Sequence, residues 1–147
     1  MNSRDIFCLL LRSKVDRWSV WGQKGPTYFD CSGLVTWALY AATGKDLRGT
    51  HNSQRLHDES PALDAPPGFV AQPGDLCFYG ADAAGVSHVA VWLSDSECIS
   101  ADGATPKILN PKDVEAHRDY RVRIHKSPRF RGDLPYFAIH RNQWVAK

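Results

Sequence analysis

Hydrophobic residues recur every three or four positions in the first half of the chain, which is the spacing of a helix face. This pattern predicts one helix over residues 3–15 and a second over 31–43. The buried stripe of the second helix would consist of Leu34, Val35, Ala38, Leu39 and Ala42. Asp30 is placed to cap its N-terminus and Gly44 its C-terminus. A shorter helix is predicted over 51–59.

The second half of the chain contains short apolar segments, some of which alternate at the period of a β-strand. After a loop rich in Pro and Gly, strands are predicted over residues 75–79, 87–93, 97–101, 120–124 and 136–140. Their short connections favour antiparallel pairing. Helices followed by an antiparallel sheet of about five strands indicate an α+β fold. With 147 residues and no long linker, the sequence predicts a single domain over 1–147.

Cys31 is the candidate nucleophile because it lies at the start of the second predicted helix. Unpaired N–H groups and the positive end of the helix dipole stabilise a thiolate at such a position. The thiolate would form either when a base takes the Cys31 proton or already at rest, as an ion pair with that base. The same N–H groups, with the Cys31 amide as the first candidate, could donate to the oxyanion of a tetrahedral intermediate.

His88 is the candidate general base among the six histidines of the chain. It opens an otherwise apolar strand, and a strand-borne imidazole that faces a helix N-terminus suits a Cys/His pair. A hairpin turn at 94–96 would place Ser100 opposite His88 and Asp102 diagonal to it on the same face. Either side chain could orient the imidazole. Ser100 is better placed, whereas Asp102 is charged and is slightly preferred.

Composition excludes several other functions. A net charge of +2 is too small to indicate nucleic-acid binding, and the cysteines and histidines lack metal-ligand spacing. Cys8, Cys77 and Cys98 are interpreted as small buried apolar residues. A basic C-terminal group is interpreted as a solvated face, with attraction to an anionic surface as the functional alternative. It comprises Arg118, Arg121, Arg123, Lys126, Arg129 and Arg131.

With these residues in view, the chain resembles the NlpC-like cysteine peptidases, which are papain-fold hydrolases of peptidoglycan. The matching segments run from about Trp21 to Gly103, and their order and spacing make the resemblance specific. They are Trp21–Gly22, Phe29–Val35, Thr50–Gln54, Gln72–Tyr79 and His88–Leu93. The resemblance implies a papain-like fold that needs no metal and no organic cofactor. It also implies a third catalytic residue beside Cys31 and His88.

The resemblance further implies attack of the Cys31 thiolate on an amide bond of a peptidoglycan stem peptide, through a thioester. The bond is often that from D-glutamate to diaminopimelate or lysine. Asp30 and Ser32 would shape the pocket for the amino end of the substrate, and Tyr28 and Ser87 are further candidate substrate contacts.

Two positions depart from the family pattern. The third catalytic residue is commonly His, and the expected register puts Ser100 at that place, with Asp102 two residues later. A tyrosine that is frequent in the family is replaced by Ser19, so its role beside the oxyanion hole would be lost or supplied by Trp18 or Tyr28.

The N-terminal segment shows neither a signal peptide nor a membrane span. We therefore expect synthesis in the cytoplasm and action of a monomer on the cell wall after release or delivery. A phage lysin is preferred over a phage tail component or an injected effector. Two alternative functions stay open: a catalytically silent module that binds stem peptides, and an acyltransferase or deamidase on the same scaffold.

Overall fold

The elements of the chain follow the predicted order of helices first and strands second. The computed structural model describes residues 1–63, 71–94, 96–103, 112 and 120–145. Within these ranges the helices are α1 (Ser3–Arg12), α2 (Cys31–Thr43) and α3 (Ser53–Glu59). The strands are β1 (Leu76–Gly80), β2 (Val86–Ser94), β3 (Glu97–Ala101), β4 (Val122–His125) and β5 (Tyr136–His140). The prediction of an α+β fold is confirmed.

Three predicted boundaries shift by two or three residues, for identifiable reasons. Helix α1 ends at Arg12 rather than at residue 15, and Asp16 then takes a left-handed φ of 73°. Helix α3 begins at Ser53 because the side chain of Asn52 accepts the N–H of Arg55 and caps the helix there. Strand β4 begins late because Arg121 forms an isolated bridge with Trp18 instead of joining the sheet. Part of the predicted loop before β1, residues 64–70, lies outside the described residues.

The five described strands form one antiparallel sheet in the order β4-β3-β2-β1-β5. Helix α1 packs on α2, and α2 and α3 pack against β2. Successive side chains of a strand point to opposite faces of the sheet, so β1 contributes to two apolar layers. Leu76 and Phe78 join the core that contains the helices, whereas Cys77 and Tyr79 lie in a second layer. Phe130 and Leu134, from the connection between β4 and β5, pack on that second layer.

Asp75, which immediately precedes β1, contacts residues near both ends of the described chain. Its carboxylate accepts the N–H of Gln72 at 2.8 Å, as expected for an aspartate that closes a turn. It also lies 3.7 Å from Nη1 of Arg4 and 3.1 Å from Nη1 of Arg141. Because Asp75 is fully buried, these two guanidinium groups provide the charge compensation that its carboxylate needs.

Candidate active site

The N-terminus of α2 is built around the side chain of Asp30. One carboxylate oxygen accepts the N–H of Gly33 at 2.6 Å and caps the helix, while the other accepts the N–H of Gly22 at 3.0 Å. Asp30 thus joins the loop that contains Trp21 to the first turn of α2. The prediction that Asp30 caps this helix and Gly44 ends it is confirmed, since Gly44 takes a left-handed φ of 77°.

Gly33 allows that loop to approach the helix closely. A Cβ atom at this position would lie 2.1 Å from the carbonyl oxygen of Gln23 and 2.7 Å from Oδ1 of Asp30. The Gln23 carbonyl is fixed there because it accepts the N–H of Asp30 at 2.9 Å. Any larger side chain at position 33 would therefore displace the segment that precedes the nucleophile.

The thiol of Cys31 lies between the start of α2 and strand β2. Backbone N–H groups of Val89, of Ser32 and of Cys31 itself act on the sulfur and lower its pKa. Burial nevertheless dominates and, with the negative charge of Asp30, raises the pKa of Cys31 to about 11. Loss of water thus outweighs the helix N-terminus, which favours a protonated thiol at rest over the ion pair, the other expected alternative. The effect of Val89, the residue that follows His88, indicates that strand β2 passes near the thiol.

One cavity of about 790 Å³ contains both Cys31 and His88. Asp102 lines it as well, together with Asp30, Ser32 and Ser87. Aromatic and basic side chains complete much of the wall, namely Trp21, Tyr120, Phe130, Arg123 and Arg131. The cavity is therefore shared by α2, β2 and the segments that flank β3 and β4.

The predicted pairing of β2 with β3 is wrong by two residues. Val91 pairs with Ile99 and Trp92 with Cys98, and continuing this register puts Asp102, not Ser100, across from His88. The hairpin closes through Ser94 and Glu97 and carries an irregularity between Trp92 and Ser94, which sets this register.

Asp102 is the acidic neighbour of the His88 imidazole. Its Oδ1 lies 3.8 Å from Nε2 of His88, a distance too long for a hydrogen bond. Nε2 of His88 is buried and has no hydrogen-bond partner among the described residues. Burial lowers the pKa of His88 to about 4, and the charge of Arg131 acts in the same direction, while Asp102 opposes both. The imidazole of His88 is therefore neutral at rest.

Ser100 and His125 hold the carboxylate of Asp102 in place. The hydroxyl of Ser100 donates to Oδ1 at 2.5 Å, and Nε2–H of His125 donates to Oδ2 at 2.7 Å. The His125 ring stacks on Phe130 with 3.7 Å between centroids and 3° between planes. Sequence reasoning assigned no role to His125 or Phe130, because only the pairing of β3 with β4 and the return of the following segment bring them here.

Ser100 and Tyr28, two further predicted site residues, are not among the residues that line the cavity. Ser100 acts on Asp102 from inside the sheet, and Tyr28 packs with Trp18 and Tyr120 around Val20. Ser19, which replaces the tyrosine expected from the family, is fully buried. Two members of the basic group interpreted as a solvated face, Arg123 and Arg131, instead line the cavity.

No set of three or more His, Cys, Asp or Glu side chains is arranged to hold a metal ion within the described ranges. All four cysteines are free thiols. None of the described helices has the length and apolar character needed to cross a membrane.

Comparisons of sequence place this domain in a known family. Residues 17–123, which contain Cys31, His88 and Asp102, match the sequence profile of the NlpC/P60 family. Over 97 residues, the chain is 33% identical to a protein of Corynebacterium glutamicum named "Probable endopeptidase", covering 65% of this chain and 41% of that one. Over 82 residues it is 35% identical to Protein P54 of Enterococcus faecium, covering 56% of this chain and 15% of that one. The chain thus spans well under half the length of these relatives.

Solved structures share the fold. The NlpC/p60 domain of the peptidoglycan hydrolase SagA superposes with a TM-score of 0.66 at 24% identity, covering 92% of this chain and 97% of that one. RipD of Mycobacterium tuberculosis, described as a non-catalytic NlpC/p60 domain protein adapted to peptidoglycan binding, superposes with a TM-score of 0.67 at 20% identity. That superposition covers 97% of this chain and 98% of RipD.

A helix that presents a cysteine to a strand-borne histidine, on an antiparallel sheet, defines a papain-like α+β domain. The matched profile makes the assignment specific: this chain belongs to the NlpC/P60 family.

Proposed function

We propose that this protein is a cysteine hydrolase that cleaves an amide bond in the stem peptides of peptidoglycan. The observation that carries the proposal is that Cys31, at the start of α2, and His88, on β2, line one cavity together with Asp102. Membership of a family with relatives named as endopeptidases supports the same reaction class. The bond from D-glutamate to diaminopimelate or lysine is the proposed site of cleavage.

The first step is proton transfer within a neutral pair. Because burial keeps the thiol protonated and the imidazole neutral, His88 must take the Cys31 proton as the sulfur attacks the amide carbon. Nε2 of His88 faces Asp102, so Nδ1 is the nitrogen that exchanges this proton. The imidazolium that forms then attracts Asp102, and the 3.8 Å gap shortens as charge develops.

The remaining steps follow from the same groups. N–H groups at the start of α2, with Cys31 as first candidate, stabilise the oxyanion of the tetrahedral intermediate. His88 returns its proton to the leaving amine, the carbon–nitrogen bond breaks, and the acyl group remains on sulfur as a thioester. Water, deprotonated by His88, then attacks the thioester and releases the acid and the free thiol. Asp30 and Ser32 contact the amino end of the substrate, and Ser87 the adjoining wall.

A catalytically silent binding domain is the second candidate function. Two observations favour it: His88 and Asp102 are not hydrogen-bonded at rest, and RipD, described as non-catalytic, has a similar fold. This candidate predicts that the protein sediments with cell walls and that Cys31→Ala binds them equally well, while neither protein releases fragments.

Digestion of purified walls tests the proposal directly. Walls of the diaminopimelate type and of the lysine type are incubated with the wild type, with Cys31→Ala and with Cys8→Ala, and the new termini are identified by mass spectrometry. We expect the wild type and Cys8→Ala to release the same peptides and Cys31→Ala to lose more than about a thousandfold of the rate. Release by Cys31→Ala at the wild-type rate would exclude the cysteine mechanism. Products extended by an added acceptor would indicate acyl transfer.

A further inference from the structure

The charged side chains that line the cavity differ in how many of their hydrogen-bonding atoms already have partners within the protein. The two acids that line it have partners for all four of their oxygens inside the protein. Asp30 accepts from Gly33 and Gly22, and Asp102 accepts from Ser100 and His125. Each carboxylate oxygen thus already accepts at least one hydrogen bond from the protein.

Arg131 differs from these acids because only two of the three nitrogens of its guanidinium donate to described residues. Nε and Nη2 donate to the two oxygens of Asp133, each at 3.0 Å, and this fork fixes the plane of the group. Nη1 donates to no described residue, and the side chain is 30% exposed while lining the cavity. A rigid cationic donor thus remains available at the wall.

The position of Arg131 relates it to the reacting groups. It lines the same cavity as Cys31 and His88, and the ring of the preceding residue, Phe130, lies 5.9 Å from the His88 ring, centroid to centroid. In keeping with this placement, the charge of Arg131 lowers the pKa of His88, second only to burial. A ligand held by Nη1 would therefore lie beside the scissile bond rather than at a remote part of the cavity.

We propose that Arg131 binds a free carboxylate of the substrate next to the scissile amide, namely the α-carboxylate of a γ-linked glutamyl residue. This inference rests on the proposed function and names a specificity determinant for it. When the side-chain carboxyl of glutamate forms the amide, its α-carboxyl stays free and is only a few bonds from the attacked carbon. Guanidinium groups pair with carboxylates more strongly than with neutral amides, so the α-amidated form of the same peptide binds less well.

Two tripeptides that differ in one group provide the test. Both contain L-alanine, γ-linked D-glutamate and L-lysine; in one the α-carboxyl is free, and in the other it is a primary amide. We expect the wild type to favour the acid by about tenfold or more in kcat/KM, as for a charge-assisted hydrogen bond. Arg131→Gln should bring the ratio close to one by slowing cleavage of the acid alone, and Arg131→Lys should keep part of the preference.

Arg129→Gln is the matched control, since Arg129 lies in the same segment but its guanidinium covers the ring of Phe137 instead of lining the cavity. It should retain the wild-type ratio. Equal cleavage of both peptides by the wild type would overturn the inference. So would an equal loss on both peptides in Arg131→Gln, which would assign the residue to tuning of Cys31 and His88 alone.

Binding to inactive protein separates this inference from the proposed function. In the Cys31→Ala background, calorimetry should give a Kd about tenfold lower for the acid than for the amide, and adding Arg131→Gln should abolish the difference. If the wild type cleaves neither peptide, cleavage of this bond is refuted while the binding preference still decides the role of Arg131. Equal Kd values in the Cys31→Ala protein would refute the carboxylate site even if cleavage is observed.

Discussion

At the scale of single residues, the candidate site brings Cys31, His88 and Asp102 together in one cavity. Cys31 and His88 are both neutral at rest because burial disfavours their charged forms. Asp102 stands 3.8 Å beyond the base and is held by Ser100 and His125. In the proposed mechanism, this carboxylate would stabilise the imidazolium that forms when His88 accepts the Cys31 proton.

His125 should therefore act as a positioning residue. We expect His125→Phe to lower kcat about tenfold with little change in KM, because the carboxylate that steadies the imidazolium loses its orientation. The charge of His125 lowers the pKa of His88, whereas that of Asp102 raises it. Without His125 the pKa of His88 should therefore rise, and the acid limb of the kcat/KM profile should move to higher pH. Measured pH profiles for a soluble peptide check both effects.

Two further variants control this prediction. His125→Gln keeps a donor for Asp102 and should recover most of kcat, whereas His51→Gln changes a histidine that pairs with Glu59 and does not line the cavity, so it should have no effect. A lower kcat in His125→Phe with an unmoved acid limb would indicate a purely structural role.

At the scale of elements, the reactive end of α2 depends on how closely the preceding loop can approach it. Asp30 binds both the loop, through Gly22, and the helix, through Gly33. Desolvation raises the pKa of Asp30, and the N–H groups of Gly33 and Gly22 counter this effect by stabilising the ionised carboxylate. The same side chain therefore caps the helix and holds the loop that lines the cavity, so a substitution that moves the helix N-terminus also moves this loop.

Gly33→Ala should destabilise the protein although alanine is the better helix former. The gain in helix propensity is about 1 kcal/mol at most, while the new Cβ would lie 2.1 Å from a fixed backbone oxygen. We expect a net loss of about 1 to 3 kcal/mol, measured by urea unfolding. Gly132→Ala, where no atom lies within 4 Å of the added Cβ, is the control and should stay within about 0.5 kcal/mol of the wild type. Equal stabilities of the two variants would contradict the steric argument.

At the scale of the whole molecule, the sheet is covered on both faces, and the active site lies where the two layers meet. The helices cover one face and the connection between β4 and β5 covers the other, carrying Phe130 and Arg131 to the cavity wall. Buried histidines belong to both layers. His88 lies beside the rings of Tyr79 and Phe130, and His140 lies 4.5 Å from the ring of His57.

The fold should lose stability in mild acid. Burial lowers the pKa of His88 to about 4, and burial with the nearby charge of His57 lowers the pKa of His140. As the pH falls, these histidines are protonated in the unfolded chain at a higher pH than in the folded protein. The free energy of unfolding is therefore highest above the unfolded pKa of 6.5 and falls as the pH drops towards 4. The lowered pKa of His88 alone should decrease the free energy of unfolding by about 3 kcal/mol between pH 7 and pH 4. Urea unfolding at several pH values measures the slope.

His88→Gln supplies the comparison for this effect. A variant without the imidazole cannot gain that proton on unfolding, so its stability should decline less steeply below pH 6.5 than that of the wild type. Parallel pH dependences would show that His88 is not the group that links acid to unfolding.

The local sequence determined the parts of this protein that depend on neighbouring residues. The apolar spacing of α2, the cap at Asp30 and the glycine at position 44 specify a helix that starts at Cys31, and the structure has those bounds. Short apolar segments likewise located all five described strands, and β3 and β5 have the predicted limits. These features follow from backbone periodicity and hydrogen bonds between residues close in the chain.

Only the tertiary structure decided what surrounds Cys31 and His88. The two-residue error in the register of β2 and β3 arose because pairing depends on an irregularity near the turn, which no apolar pattern reveals. His125 and Arg131 reach the site through strand pairing and a returning connection, so their roles depend on contacts far apart in sequence. The choice between a neutral thiol and an ion pair at Cys31 depended on the fold for the same reason: the helix N-terminus is a local feature, whereas the burial that outweighs it is produced by the whole fold.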